Sequence, residues 1–394
     1  MKSKPYIILA ICIITLSINL DIIFNSKVEL HKDLPDMKQE INSDNQVIVD
    51  KVIEEIPQEE QPKEIIYNIT FEVQEGGYNI YLNEGYGYRY GPSFIKYDNG
   101  TMDAWFASPG ENGEWDWIRY KHYNGKTWEK EEVVLTPSDY GLDHYSVCDP
   151  GVIFFDDYYY LAYTSTTDLD GYNNQLFVAR SKNPNGPFEK WNGDGWGGDP
   201  EPFIEYADDP KCWGAGEASF VIYDDDLYIY YSWINPDGDV TKLAKADLCE
   251  DWPKTIRFKG NCYSKQNSQD SCDVVYIDEL DKFVAFSTMY RFTENSSIAI
   301  FTSDNGSDFE LSDIVSDNIR RYCHNMGISK NPDGHIHLDD DLFIGYAYGP
   351  SWGMWSTMFQ NIKLKLYEVE EWAVILIYTC IQLYQVMVNL VLNN

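Results

Sequence analysis

Basic residues are scarce in this sequence. Its 394 residues include 30 lysines and arginines against 64 aspartates and glutamates, which gives a formal net charge of -34 at pH 7. A chain with this charge repels the phosphate backbone of nucleic acids and the headgroups of anionic lipids. Nucleic acid is therefore a poor candidate for a partner, and we expect none.

Long apolar runs are missing from the middle of the chain and occur only near its ends. Residues 1–24 place Lys2 and Lys4 before an apolar run, which is the layout of an export signal. No small-residue cleavage site follows, so a removed signal peptide and an uncleaved membrane anchor both remain open. Both predict that the rest of the chain is extracellular or lies at the cell surface, and an anchor would tether it to a membrane.

Two further segments outside the central region have an unusual composition. Residues 25–66 are rich in charged and amide side chains and poor in aromatics, which predicts a disordered acidic linker. The segment 368–394 is apolar, and residues 372–392 contain no charged side chain. This segment is just long enough for a membrane helix. Because it contains glutamines, a poorly packed terminal helix is an equally good interpretation.

Aromatic residues are abundant in the remaining sequence. They make up 15% of the chain and include 31 tyrosines, which favours strands over helices. Five segments share a polar start, an apolar strand, an acidic or glycine-containing turn and a second, aromatic strand. They begin at Arg89, Cys148, Gly216, Cys272 and Cys323. We therefore predict an all-β fold, a five-bladed β-propeller that spans residues 67–367.

The repeat also predicts where a site would lie. The innermost strands of a propeller line a shared channel, so equivalent residues of these strands face one pocket. We place at one repeat position Gly91, Asp149, Glu217 and Asp273, with His324 or Asn325 in the fifth repeat. Carboxylates around one pocket suit glycosidic bond cleavage, in which one group donates a proton and another is ionised. The alternative is that these acids only cap turns.

Three motifs resemble glycoside hydrolase family 43 and its relatives, the arabinanases, xylosidases and invertases. They are CDPGVIFFDDYYYL from Cys148, GEASF from Gly216 and ARSKNPNGPF from Ala179. The resemblance covers about residues 80–367 and implies a five-bladed propeller that hydrolyses O-glycosidic bonds of xylose- and arabinose-type or related glycans. It also implies that Glu217 is the general acid and that Asp149 orients Glu217 and tunes its pKa. We expect no cofactor.

The first repeat departs from the family pattern. Similar enzymes carry an Asp-Pro there whose aspartate is the general base, whereas this chain has Gly91 followed by Pro92. Loss of a base costs a factor of about 100 to 10,000 in rate. Three explanations stay open: a relocated base, a different chemistry, or a propeller that binds carbohydrate without cleaving it. The candidates for a relocated base are Asp103, Asp116, Asp143 and Asp273, of which Asp273 is the first to test.

Several further residues are predicted to bind substrate. Arg89 lies on the same strand face as Gly91, where it could bind a sugar hydroxyl or carboxylate or form a salt bridge. His324 lies at the start of the fifth repeat. It could contact an ion or water in the channel, or it could be a hydrogen-bonded structural residue. Indole rings stack on sugar rings, and three tryptophans lie in glycine-rich loops. They are Trp213, which is nearest to Glu217 in sequence, Trp196 and Trp352.

The sequence gives little evidence for a metal site or for disulfide bonds. The acidic runs 224–226 and 339–341 suggest calcium by composition, but they lack the ligand spacing of an EF-hand loop and fit exposed hairpin turns better. We expect no catalytic metal and leave a structural or channel calcium open. Among the eight cysteines, Cys249 and Cys262 are close enough in sequence to pair.

Overall fold

The computed structural model describes residues 66–85, 87–111, 115–167 and 169–369. The predicted export signal, the predicted linker up to residue 65 and the apolar segment beyond residue 369 lie outside the described residues. Within the described ranges, no helix is long and apolar enough to cross a bilayer. Regular structure in these ranges consists of strands and two short 3-10 helices, Trp252–Thr255 and Asp278–Leu280.

The strands form five antiparallel blades. Strands β1 (Ile66–Val73) and β2 (Tyr78–Tyr81) come first in the chain. Blade 1 consists of β3 (Tyr90–Lys96), β4 (Met102–Pro109), β5 (Asp116–Tyr123) and β6 (Glu132–Leu135). Blade 2 consists of β7 (Cys148–Phe155), β8 (Tyr158–Thr166), β9 (Asn174–Ser181) and β10 (Glu189–Lys190).

The remaining blades follow the same order along the chain. Blade 3 consists of β11 (Gly214–Tyr223), β12 (Asp226–Asn235), β13 (Gly238–Asp247) and β14 (Arg257–Ser264). Blade 4 consists of β15 (Cys272–Ile277), β16 (Lys282–Met289), β17 (Ser297–Ser303) and β18 (Glu310–Val315), and the short β20 (His335–Ile336) pairs with β15. Blade 5 consists of β19 (Cys323–Lys330), β21 (Leu342–Tyr348) and β22 (Ser356–Val369), completed by β1 and β2.

Apolar side chains fill the spaces between neighbouring blades. Ile153 of blade 2 and Phe220 of blade 3 belong to one buried cluster. Equivalent clusters join blades 1 and 2, blades 3 and 4, blades 4 and 5, and blades 5 and 1. Five interfaces between five blades make a closed ring, so the predicted five-bladed propeller is confirmed.

Acidic residues form the tight turns between innermost and second strands. Asp156 and Asp157 have φ angles of 50° and 62° at the turn between β7 and β8. Asp224 and Asp225 have φ angles of 51° and 63° at the turn between β11 and β12. Two consecutive residues with positive φ are typical of type I′ hairpin turns, in which aspartate is favoured. The acidic runs at these positions therefore have a structural explanation.

The innermost strands share an irregularity near their beginning. The pairing register shifts between Cys148 and Gly151 in β7 and between Gly216 and Ser219 in β11, and β3 and β19 show equivalent shifts. The residues at these bulges are left-handed: φ is 56° at Gly91, 47° at Asp149, 57° at Glu217 and 33° at Asn325. A bulge re-aims a side chain out of the strand alternation. The repeat therefore presents equivalent positions from four blades toward the channel, with side chains at three of them and glycine at Gly91.

Hydrogen bonds between neighbouring innermost strands define the repeat register. Each bond runs from a backbone N–H of one innermost strand to a side chain of the neighbouring innermost strand. The bonds run from Val152 N to Ser93 Oγ (3.1 Å), from Val274 N to Ser219 Oγ (2.9 Å) and from Ile328 N to Asp273 Oδ2 (2.9 Å). Asp273 is thus equivalent to Ser93 and Ser219, both of which link blades.

This register corrects the predicted alignment of blade 4. Ser271, rather than Asp273, corresponds to Asp149 and Glu217, so the sequence alignment was displaced by two residues there. The displacement arose because Asp273 resembles the acids of the other repeats in residue type, although its structural equivalent is a serine. In β15 it pairs regularly with Phe286 of β16.

Candidate active site

A cavity of about 510 Å³ opens where the innermost strands begin, and Asp149 and Glu217 both line it. Clefts of this size hold small ligands such as sugar residues. A second, smaller pocket of about 30 Å³ lies against Gly91 and Asp273 and shares Asp149 and Glu217 with the larger cavity. The two sequence-predicted carboxylates of blades 2 and 3 therefore meet in one site.

Glu217 is held by donors on both carboxylate oxygens. Asn325 Nδ2 donates to Oε1 at 3.2 Å, and Ser232 Oγ donates to Oε2. Lys265 Nζ lies 3.5 Å from Oε2 and also donates to Ser232 Oγ. The Lys265 side chain is 2% exposed, so its charge acts on Glu217 with little screening by solvent.

Asp149 has a different environment, although it faces the same cavity. Its one side-chain hydrogen bond among the described residues is donated by Cys148 Sγ to Oδ2, at 3.4 Å. Burial raises the pKa of Asp149 well above its usual range, and the negative charge of Glu217 raises it further. Burial and the neighbouring negative charge thus both favour the protonated form of this carboxyl group.

Gly91 occupies the blade 1 position that is equivalent to Asp149 and Glu217. A Cβ atom added there would lie 3.4 Å from Asp149 Oδ1. A carboxylate at this position would thus stand directly beside Asp149. With glycine, the innermost strand of blade 1 contributes no carboxylate, and Oδ1 of Asp149 has open space on this side.

Asp116 brings a carboxylate to the same cavity from the third strand of blade 1. It is buried, lines the cavity and stands at the beginning of β5. Its oxygens accept hydrogen bonds from Tyr88 Oη (2.6 Å), Tyr90 Oη (3.3 Å) and Ser146 Oγ (3.4 Å). Burial raises the pKa of Asp116 to about 6. The three hydrogen bonds act in the opposite direction and lower the pKa, but their effect is smaller.

A further acidic group in the cavity, Asp270, was missed in the sequence. It lies immediately before β15, is 1% exposed and accepts hydrogen bonds from the Asn325 backbone N–H (3.1 Å) and from Arg291 Nη1 (2.9 Å). His324 Nδ1 also bonds its Oδ2. Burial alone would raise the pKa of Asp270, but His324 and Arg291 hold it well below its usual range. A repeat alignment based on Ser93, Ser219 and Asp273 would have drawn attention to the segment before Asp273.

The structure brings three of the five predicted substrate-binding residues to the cavity. They are His324, Trp213 and Trp352. His324 stacks on Tyr90 with ring centroids 5.6 Å apart, so its pairing with Asp270 makes it a hydrogen-bonded wall residue. Trp352 is 69% exposed at the mouth of the cavity. Trp115, which the sequence analysis did not single out, also lines the cavity.

The other two predicted substrate-binding residues lie elsewhere. Arg89 is buried, donates to both carboxylate oxygens of Glu131 and stacks over Tyr81, with its Cζ 4.1 Å from the ring centroid. Neither it nor Trp196 lines the cavity. Trp196 packs on Trp191, with ring centroids 5.1 Å apart, and under the guanidinium of Arg180. Both side chains are thus engaged in packing away from the cavity.

Three of the four predicted candidates for a relocated base also lie outside the large cavity. Asp103 bonds Tyr97, Tyr120 and His122. Asp143 accepts from Lys190 Nζ at 2.5 Å and from Tyr163 Oη at 2.9 Å. Asp273 accepts from Lys330 Nζ at 2.6 Å, in a contact where the lysine side chain is 3% exposed. Asp116 is the candidate that faces Asp149.

Cysteines and metal ligands add little to this site. All six cysteines in the described ranges are free, so Cys249 and Cys262 do not pair, and Cys148, Cys272 and Cys323 are buried. In the same ranges, no three histidine, cysteine, aspartate or glutamate side chains are grouped in a way that could hold a metal ion. The titratable groups that line the cavity are mainly carboxylates.

Comparison with known proteins gives no match to a family model and none to a curated protein. Solved structures do match. A family 117 glycoside hydrolase from the marine bacterium Zobellia galactanivorans is 14% identical, with a TM-score of 0.54 over 76% of this chain and 90% of that chain. The α-L-arabinofuranosidase from Podospora anserina, in complex with cellotriose, is 12% identical, with a TM-score of 0.52 over 75% of this chain and 97% of that chain.

A GH62 hydrolase in complex with xylotriose is 10% identical, with a TM-score of 0.52 over 73% of this chain and 94% of that chain. These similarities agree with the blade count and the closed ring described above. The chain therefore shares the five-bladed β-propeller fold with glycoside hydrolases.

Proposed function

We propose that this protein is a glycoside hydrolase that cleaves O-glycosidic bonds of arabinose- and xylose-type or related glycans. The observation that carries the proposal is the pair formed by Asp149 and Glu217. They occupy equivalent left-handed positions on neighbouring blades and line one cavity. Their surroundings differ, since one carboxyl lies beside a lysine and the other beside no cation among the described residues. Two carboxyl groups with different proton affinities are what acid-assisted glycoside cleavage needs.

The pair supplies the proton that the departing sugar oxygen requires. The resemblance to family 43 assigns this proton to Glu217 and makes Asp149 the residue that orients and tunes it. As the bond between the anomeric carbon and the glycosidic oxygen breaks, its electron pair goes to that oxygen, which takes the proton. Water then bonds to the anomeric carbon and loses a proton to a base.

Asp116 is the base that fits the arrangement best. It belongs to blade 1, as Gly91 does, and it faces the cavity that Asp149 lines. With a pKa of about 6, it is mostly ionised at neutral pH and still basic enough to accept a proton. A relocated base in blade 1 therefore accounts for the glycine at position 91.

The cavity walls offer groups that suit a neutral sugar. Trp115, Trp213 and Trp352 provide indole faces for stacking. Within the described ranges, the buried Asn325 Oδ1 and Gln269 Nε2 have no hydrogen-bond partner, and both residues line the cavity. They provide an acceptor and a donor for sugar hydroxyls. The arabinofuranosidase solved with cellotriose and the GH62 hydrolase solved with xylotriose support the choice of pentose-containing glycans.

A carbohydrate-binding propeller without catalysis is the second candidate function, and Gly91 favours it because the innermost strand of blade 1 lacks a carboxylate. Under either function, the export layout of residues 1–24 supports an extracellular or cell-surface location, with a membrane tether if that segment is retained. No cofactor takes part in the proposed reaction.

The test is hydrolysis of p-nitrophenyl glycosides of arabinose, xylose and galactose by the purified full-length chain. We expect release from at least one substrate and a loss of about 100-fold or more in Glu217→Gln. Arg89→Lys, outside the cavity, serves as the control and should retain turnover. A wild-type chain that binds arabino- or xylo-oligosaccharides in calorimetry but releases nothing would establish the non-catalytic alternative.

A further inference from the structure

Exposed aromatic side chains are concentrated on the face of the ring where the cavity opens. The innermost strands begin at this face, and the strands of a blade alternate in direction. The loops between second and third strands and the loops between blades therefore lie on it. In the described ranges, seven tyrosines and tryptophans are exposed, and all but Tyr78 and Tyr367 belong to these loops. The five in the loops are Trp115, Tyr140, Tyr172, Tyr290 and Trp352.

Four of these side chains form a continuous strip over blades 5, 1 and 2, which we call the aromatic rim. Its members are Trp352, Trp115, Tyr172 and Tyr140. In the blade 5 loop that carries Trp352, a Cβ atom added to the adjoining Gly353 would lie 3.6 Å from Cδ1 of Tyr88. The Tyr88 hydroxyl in turn donates to the backbone oxygen of Trp115 at 3.3 Å. The loops of blades 5 and 1 are thus in contact.

The strip continues from blade 1 to blade 2. A Cβ atom added to Gly171, which adjoins Tyr172, would lie 2.7 Å from Cζ3 of Trp115. The backbone N–H of Trp115 donates to the backbone oxygen of Tyr145 at 2.9 Å. Tyr145 belongs to the loop between blades 1 and 2, which also carries Tyr140. Trp115 therefore joins the cavity wall to the loops of two exposed tyrosines.

Glycines beside three of the rings leave them uncovered. Gly141 follows Tyr140, Gly171 precedes Tyr172, and Gly353 follows Trp352. A glycine has no side chain that could pack over its neighbour, and these three rings are 84%, 48% and 69% exposed. Aromatic surface that stays in contact with water is unfavourable, so a continuous strip of it indicates a binding surface.

A chain of neutral sugars is the ligand that the aromatic rim fits. Trp115 and Trp352 line the cavity as well as the rim, so the rim continues directly from the proposed site of the sugar. Flat rings exposed along a strip can each stack on one sugar of a chain. On the other side, the cavity wall from blades 3 and 4 includes the charged Asp239, Lys265 and Arg291. A glycan that extends out of the cavity therefore finds its stacking partners over blades 5, 1 and 2.

We propose that the aromatic rim binds those sugars of a polymeric glycan that lie beyond the sugar held in the cavity. The substrate is then a polysaccharide or a long oligosaccharide rather than a disaccharide. Trp115 and Trp352 contact the sugars nearest to the cavity, and Tyr140 and Tyr172, which do not line it, contact more distant ones. This inference deepens the proposed glycosidase function and rests on it for the class of sugar.

The dependence of the rate on chain length tests the rim. For the full-length wild type, kcat/KM should rise about 10-fold or more from a disaccharide to a hexasaccharide of the cleaved sugar. The double variant Tyr140→Ala/Tyr172→Ala should lose about 10-fold or more on the hexasaccharide, mainly through a higher KM, because two stacking partners are removed. Its loss on the p-nitrophenyl glycoside should stay below about 2-fold, since neither tyrosine lines the cavity.

Tyr367→Ala is the matched control. Tyr367 is 60% exposed, but it lies in β22 rather than in a loop of the cavity face. This variant should match the wild type on both substrates, and circular dichroism checks that every variant folds. If Tyr367→Ala raised KM on the hexasaccharide as much as the double variant does, the effect would not be specific to the rim and the inference would be wrong.

Affinity electrophoresis separates glycan binding from catalysis. Gels that contain soluble arabinan or arabinoxylan should retard the wild type and Tyr367→Ala, and the double variant should bind at least about 3-fold more weakly. Equal retardation of all three proteins, or a kcat/KM that is independent of chain length, overturns the inference while leaving the enzyme a glycosidase. Dimers that form without any retardation and are lost in the double variant would assign the rim to protein contacts instead.

A different result bears on the proposed function. A wild-type chain that is retarded in these gels but cleaves neither the oligosaccharides nor the p-nitrophenyl glycosides contradicts the glycosidase proposal. Weaker retardation of the double variant would then still support the rim as a surface for glycan chains.

Discussion

Two buried aspartates of blade 1 have similar hydrogen bonds, but their positions give them different roles. Asp103, in β4, accepts from Tyr97 Oη at 2.6 Å and bonds Tyr120 and His122. Asp116, in β5, also accepts from two tyrosines, but it lines the cavity. Their buried, hydrogen-bonded settings are alike, so the two residues form a matched pair for separating catalysis from stability.

The Asp116→Asn substitution should lower kcat/KM about 100- to 10,000-fold, because asparagine cannot accept a proton from water. Burial raises the pKa of Asp116 to about 6, so the wild-type rate should fall as the pH drops through about 6, where Asp116 becomes protonated. This acidic limb should be absent from the pH profile of the variant. Sodium azide should restore turnover as a glycosyl azide product, since azide needs no base.

Asp103→Asn is the control for this experiment. It should lose stability, because three partners lose an ionised acceptor, yet retain the acidic limb and gain nothing from azide. If Asp103→Asn and Asp116→Asn behaved alike in rate and in azide response, the role of Asp116 would be structural.

At the scale of the strands, close packing of the innermost strands depends on glycine. A Cβ atom at Gly151 in β7 would lie 1.9 Å from the backbone oxygen of Ala218 in β11, and one at Gly327 in β19 would lie 2.0 Å from the backbone oxygen of Pro92 in β3. The equivalent positions of the other three blades are Ser93, Ser219 and Asp273, whose side chains bond to the next blade. Each position two residues after a bulge thus sets the distance between neighbouring blades.

Gly151→Ala should destabilise the protein by about 1–3 kcal/mol or more, because backbone rather than a flexible side chain occupies the space that the methyl group needs. The measurement is the free energy of unfolding from urea titration. Gly195→Ala is the matched control, as nothing lies within 4 Å of its added Cβ, and it should change stability by less than about 0.5 kcal/mol. Equal stabilities of the two variants would contradict the packing described here.

At the scale of the whole molecule, the ring is closed by the pairing of β1 with β22. Eight residue pairs join the strands, from Ile66 opposite Val369 to Val73 opposite Ile362. Ile69, Phe71 and Val73 of β1 are buried in the cluster between blades 4 and 5. Each such side chain contributes about 1.5–3 kcal/mol by its burial. The first described strand therefore stabilises the last blade.

A chain that begins at Ile65 should unfold at nearly the same temperature as the full chain, because it keeps β1. A chain that begins at Gln74 lacks β1 and should unfold at least about 10 °C lower, since the edge of β22 and part of a core cluster become exposed. Differential scanning calorimetry of the two truncated chains measures this. Equal unfolding temperatures would show that β1 does not close the ring.

Local patterns in the sequence were sufficient to predict the strands, the five repeats and the pair formed by Asp149 and Glu217. Alternating apolar residues and acidic turns are patterns of residues close together in the sequence, so they can be recognised without a structure. The same reasoning misplaced Asp273, because a bulge changes which residues of two repeats are equivalent, and a bulge is a property of strand pairing.

The chemistry around the pair was decided by tertiary structure. Lys265 reaches Glu217 across 48 positions that separate them in the sequence, and Asp270 meets His324 from another blade. Arg89 pairs with Glu131 and is drawn away from the channel. The pKa of a buried carboxyl group depends on which charges the closed ring brings within a few ångströms, and no local pattern carries that information. The sequence therefore determined which carboxylates begin the innermost strands, and the tertiary structure decided which charges and hydrogen bonds surround each of them.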